Sequence, residues 1–140
     1  MLRSAPTIAE LLKELVVIDA LETAWLDSNV NDSANRHEEG GWVYVDVSNG
    51  AIATRRCPAG GKDGISLKTS FEIPGLVVVA TFHTHPNPSA EGWEPGPSLD
   101  DTREAFIDGV PCLIRADDGI HSTGPSSRRG GLIGVAGFPR

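Results

Sequence analysis

Only two cysteines, Cys57 and Cys112, occur in the chain, and they lie far apart in sequence. That excludes a disulfide framework and a close-spaced cysteine pair for a metal. Cys112, within the apolar run Val110-Pro-Cys-Leu-Ile114, is expected to be a reduced core residue. Basic side chains are also scarce, with 12 Lys and Arg against 19 Asp and Glu and a net charge of −7. Binding to a polyanion rests on basic clusters, so nucleic acid is not an expected partner. The short pairs Arg55-Arg56 and Arg128-Arg129 are expected in solvated loops or against a protein. No apolar stretch approaches the roughly 20 residues of a membrane span, and the first residues lack the form of a secretory leader. A cytoplasmic protein without a membrane partner is the expectation. Internal repeats are absent, as are a His-Glu-x-x-His helix and the Pro-Cys-x-x-Cys pair of zinc deaminases.

What is present suits one soluble globular domain over 1–140. The chain is 39% hydrophobic, and a chain of this length buries about two-thirds of its unfolded surface. Thr7-Ile-Ala-Glu10 has the form of a capping box. Ile8, Leu11, Leu12, Leu15 and Val16 recur at helical spacing, which predicts a helix over about 7–26 with the β-branched Val16-Val17-Ile18 as its weak point. Residues 27–36, rich in Asn, Ser and Asp, read as a loop. Trp42–Val47 and Ala51–Arg55 flank Asn49-Gly50 and read as a hairpin. Cys57–Gly64 reads as a surface loop, Ile65–Leu67 with Phe71 as a short edge strand, and Leu76–His85 as a buried strand.

After it, the proline-rich 87–97, with Trp93 near its middle, predicts a stiff irregular loop. Ser98 opens a helix to about Asp108, a second hairpin follows over 110–123, and Leu132–Val135 is a last strand beyond the glycine-rich 124–131. Strands alternating with two helices give the expected class: α/β, with a mixed central sheet flanked by helices.

The chemistry concentrates at Thr81-Phe-His-Thr-His-Pro86. In a strand, residues i and i+2 project from one face roughly 7 Å apart. His83 and His85 are therefore able to converge on one cation while Thr84 points away; two polar histidines at a strand end are the plain alternative. Ser98 and Asp101 likewise have two readings. As a helix cap, Ser98 accepts from the backbone and Asp101 at the third helical position suits the helix dipole. As chemistry, a serine and a carboxylate one turn apart face a neighbouring strand end. With Asp101, the two imidazoles make the three protein ligands of a catalytic zinc. His37 and His121 are then expected to be non-ligands. A base for such a site is available in His37-Glu38-Glu39-Gly40-Gly41-Trp42, where the glycines allow close backbone approach. A solvated acidic pair is the plain reading of Glu38 and Glu39.

Together, Glu-x-x-Gly, His-Thr-His-Pro and Ser-x-x-Asp span Glu38 to Asp101 and resemble the JAMM (MPN-plus, or JAB) metallopeptidase family, in the style of a stand-alone prokaryotic member. The stretch from Pro86 to Ser98 is longer than in eukaryotic members. The resemblance implies a JAMM/MPN, cytidine-deaminase-like fold, and one Zn2+ held by His83, His85 and Asp101. It further implies Glu38 as general base, since Gly41 follows it at the required offset where Glu39 has Trp42, and Ser98 as a stabiliser of the oxyanion.

The implied activity is hydrolysis of the amide after the C-terminus of a ubiquitin-like protein, in deconjugation or precursor processing. The implied partners are that protein or its conjugate, with bacterial ubiquitin-like activating and conjugating enzymes in the same pathway. Trp93 or the 124–131 loop is expected to grip an extended tail added as a strand. Two alternatives remain open: the same site acting on another amide, such as a sulfur-carrier precursor, a peptidoglycan peptide or an effector target, or a non-catalytic MPN-like scaffold.

Overall fold

The computed structural model describes residues 5–67 and 72–125 and the backbone of 131–135. Its helices are α1 (Ile8–Leu11), α2 (Leu15–Asp27) and α3 (Leu99–Asp108), with a 3-10 turn at Ser89–Glu91. Its strands are β1 (Gly40–Asp46), β2 (Ile52–Arg56), β3 (Leu76–Thr84), β4 (Cys112–Ala116), β5 (Gly119–Thr123) and β6 (Gly131–Val135). They form one mixed sheet in the order β2-β1-β3-β4-β5-β6. Only β3 and β4 pair in parallel, and α3 with the preceding loop is the crossover that parallel neighbours require. The result is a single α/β domain. No helix among the described residues is long and apolar enough to cross a membrane.

The N-terminal helix differs from the single helix predicted over 7–26. The capping box is present, with the Thr7 hydroxyl accepting from the Glu10 N–H at 3.1 Å and Glu10 Oε1 accepting from the Thr7 N–H at 2.9 Å. But α1 ends at Leu11, and Glu14 is extended (φ −84°, ψ 120°) before α2 begins. The reason is phase. Leu11 and Leu12 form one apolar stripe, while Val17, Leu21 and Ala24 form another on a different face of any straight helix. The break rotates the chain so that both stripes reach the same core, and it leaves Leu15 74% exposed. Val16-Val17-Ile18 lies within α2, because burial of Val17 outweighs the small cost of β-branching in a helix.

The two faces of the sheet are covered differently. On one, α1 and α2 pack on Val43, Ala80, Phe82, Leu113 and Ile120. On the other, Trp42, Tyr44 and Cys57 are covered by Ile65, Leu67 and Ile73, and α3 covers Cys112 and Ile114 through Ala105. Cys57 is thus buried rather than on a surface loop. Ile65–Leu67 carries this cover as irregular chain rather than as an edge strand; Phe71 lies outside the described residues, as do Arg128, Arg129 and most of the 124–131 loop.

A bulge in β3 decides which face carries the histidines. Val43 pairs with Ala80, but Tyr44 pairs with Val78, so Val79 is an extra residue. Below the bulge, Leu76 and Val78 join the Trp42 cluster, whereas above it Ala80 and Phe82 face α2. An unbroken alternation would turn His83 toward α2. The bulge sends it to the α3 face instead.

Candidate metal centre

Thr84 ends the regular pairing of β3, one residue after His83, and Pro86, with no N–H to donate, stops the strand. Thr84 points away as expected: its hydroxyl lies 2.7 Å from the Ser28 hydroxyl at the end of α2 and accepts from the Glu39 N–H at 3.0 Å. On the opposite face, His83 Nε2 and His85 Nε2 stand 3.2 Å apart. Ser98 caps α3, accepting from the Asp101 N–H at 3.0 Å, and Asp101 Oδ2 accepts from the Ser98 N–H at 2.9 Å. The same carboxylate reaches both rings, Oδ1 to His83 Nε2 and Oδ2 to His85 Nε2, each at 3.2 Å. Ser98 and Asp101 therefore form the cap of α3, and Asp101 at the same time reaches both histidines.

The spacing fits a tetrahedral cation. Ligand atoms about 2.0–2.1 Å from a zinc ion lie about 3.3 Å from one another, close to the 3.2 Å between the two Nε2 atoms and from each of them to one oxygen of the Asp101 carboxylate. The outer nitrogens are engaged as well: His85 Nδ1 meets the Pro95 carbonyl oxygen at 3.1 Å, and His83 Nδ1 meets Cys112 Sγ at 3.2 Å. An Nδ1–H donated to the carbonyl leaves the His85 Nε2 lone pair facing the centre, the arrangement outer partners impose on metal-bound histidine. Glu38 offers a carboxylate oxygen within 4.8 Å of the donor atoms of His83 and His85.

Burial opposes a charge on His83, but the Cys112 sulfur and the Asp101 carboxylate outweigh it and raise its pKa well above the ordinary value. Burial would also raise Asp101; hydrogen bonds and charge from the two histidines reverse this and hold it far below the usual carboxylate range. For Glu38 burial prevails. Its pKa lies above the ordinary value, with Asp101 and Asp63 pushing the same way against the pull of the histidines. A buried carboxyl with a raised pKa is suited to taking and returning a proton near neutral pH.

Glu39 is engaged elsewhere, in ion pairs with Arg56 and with His37 Nε2, the latter at 2.5 Å. Arg56 therefore sits at a strand end, paired also with Asp27 at 3.0 Å, rather than in a solvated loop. His121 Nε2 meets Asp118 at 2.8 Å. The glycines that open β1 are needed for contact: a Cβ on Gly40 would overlap the Phe82 carbonyl and one on Gly41 the Arg55 carbonyl. Cys112 is buried and free as expected, but its contact with His83 was invisible in sequence, where Val-Pro-Cys-Leu-Ile reads only as core.

Glu38, His83, His85, Asp101 and Cys112 line a cleft of about 1410 Å³, together with Asn87, Trp93, Ser98 and much of the 59–67 stretch. Small-molecule pockets run to about 1,000 Å³, so there is room for an extended peptide. Comparison of the chain with protein-family models, with curated proteins and with solved structures found no match.

Proposed function

We propose that the protein is a zinc-dependent peptidase or isopeptidase of JAMM type, which hydrolyses the amide after the C-terminus of a ubiquitin-like protein. The observation that carries this is the convergence of His83, His85 and Asp101 at 3.2 Å with the buried Glu38 beside them. The donor set, two imidazoles and one carboxylate, suits Zn2+. Bound there, zinc would supply Lewis acidity and bring the pKa of a water toward neutrality.

The chain's own residues do the rest. Glu38 accepts the proton of the attacking water and returns it to the leaving amine. The Ser98 hydroxyl accepts from the Asp101 N–H, which leaves its own hydrogen free to donate to the developing oxyanion. Asp63, Glu94, Glu104 and Asp108 along the cleft, where Arg103 is paired with Asp100, favour basic residues beside the scissile bond. Substrate class and JAMM identity rest on the combined motif; the cleft's size and charge agree with a peptide tail.

The test is a fusion of a ubiquitin-like protein, encoded near the gene, with a C-terminal extension. The zinc-loaded chain is expected to cut directly after the tail, and a chelator to stop it. Zinc binding without cleavage of any such fusion or lysine-linked conjugate would refute the substrate, and failure to bind zinc would refute the site.

A further inference from the structure

Glu38 precedes β1, so no sheet partner fixes it. Both its backbone groups are instead taken by the loop that follows β2: the Glu38 N–H donates to the Gly61 carbonyl and the Gly60 N–H donates to the Glu38 carbonyl, each at 2.8 Å. The loop closes on itself where the Gly61 N–H donates to the Gly64 carbonyl at 2.7 Å. Its far side is held by Asn87, whose Nδ2 donates to the Lys62 carbonyl at 2.8 Å. Asn87 stands two residues beyond His85 and is buried. Its Oδ1 has no partner among the described residues, so the side chain acts through its donor. Gly60 is required for closure, since a Cβ there would overlap the Gly64 carbonyl and stand 2.7 Å from Ile65 Cβ. Ile65 in turn packs on the Trp42 cluster.

We propose that the 57–67 loop, latched by Asn87 to the histidine-bearing segment, positions Glu38 over the site, with Asn87 and Gly60 as positioning residues. The latch couples the base to the ligands: the segment carrying His83 and His85 grips the loop, and the loop grips Glu38. Opening it leaves His83, His85 and Asp101 in place but lets the Glu38 carboxylate leave its position, and a displacement of about 1 Å is enough to cost rate.

The kinetic part of the test rests on the hydrolase reading; the exchange part does not. Asn87→Ala, Asn87→Asp and Gly60→Ala are made in the full chain loaded with zinc, and amide hydrogen exchange of Glu38 and the 57–67 stretch is followed with turnover. Exchange of the Glu38 and Gly61 amides is expected to quicken about tenfold, the weight of one buried hydrogen bond. Turnover, where present, falls by a similar factor in kcat with KM and zinc content unchanged. Asn87→Ala combined with Gly60→Ala loses little beyond either alone, because both open the same latch. Unchanged exchange in Asn87→Ala would overturn the proposal. So would a loss confined to Asn87→Asp, which marks added charge, or a loss in KM alone. A chain that hydrolyses nothing yet shows the quickened exchange retains the latch and refutes only the hydrolase reading.

Discussion

Glu38→Gln separates a base from a ligand. The substitution keeps shape and backbone, so the pairing with Gly60 and Gly61 survives, but the amide takes no proton. A general base contributes about 10²- to 10⁴-fold, which corresponds to about 3–5 kcal/mol of barrier. The upper part of that range is expected here, because Glu38 is only 6% exposed and Glu39, committed to Arg56 and His37, is not free to replace it. Since His83, His85 and Asp101 already meet one another at 3.2 Å, zinc affinity should stay within a few-fold of the native protein. The assay pairs single-turnover cleavage with a zinc competition titration.

Stability gives an independent reading of the same variant. A carboxyl whose folded pKa is raised destabilises the fold as pH climbs from the unfolded value toward the folded one, and the penalty is complete above both. The zinc-free variant should therefore unfold at a higher temperature than the native chain at pH 8, with the two converging near pH 4. Turnover retained near the native rate would refute the base assignment. Zinc affinity falling by 100-fold would make Glu38 a ligand, as its distance to the histidines allows.

Asp101→Asn keeps an oxygen for the Ser98 N–H but loses the charge, so it should lose zinc while α3 stays capped. Ser98→Ala should do the reverse: one equivalent of zinc is retained, thermal unfolding registers a lost cap of about 1 kcal/mol, and kcat falls by about 10²-fold or more. Cys112→Ala removes the sulfur at His83 Nδ1 and should weaken zinc binding about 10- to 100-fold in a folded protein. Equal affinity in a competition titration would show that the contact only fills space.

Sequence determined what depends on neighbours along the chain. The capping boxes at Thr7 and Ser98, the Asn49-Gly50 hairpin and the spacing of His83 and His85 are all short-range, and each is present. Gly41 of the Glu-x-x-Gly stretch is needed where β1 runs against β2, since a Cβ there would overlap the Arg55 carbonyl. Tertiary structure decided what depends on distant pairing. The uniform run Leu76-Val-Val-Val-Ala80 carries no alternation to reveal a bulge, yet the extra Val79 is what turns His83 from α2 toward α3. The break before α2 arises because one core must receive two stripes that a straight helix would separate. The sulfur at His83 comes from the parallel pairing of Thr81 with Cys112, and the grip on Glu38 from a loop more than 20 residues downstream. Such contacts are set by which surfaces must be buried together, and periodicity along one segment holds no record of the other.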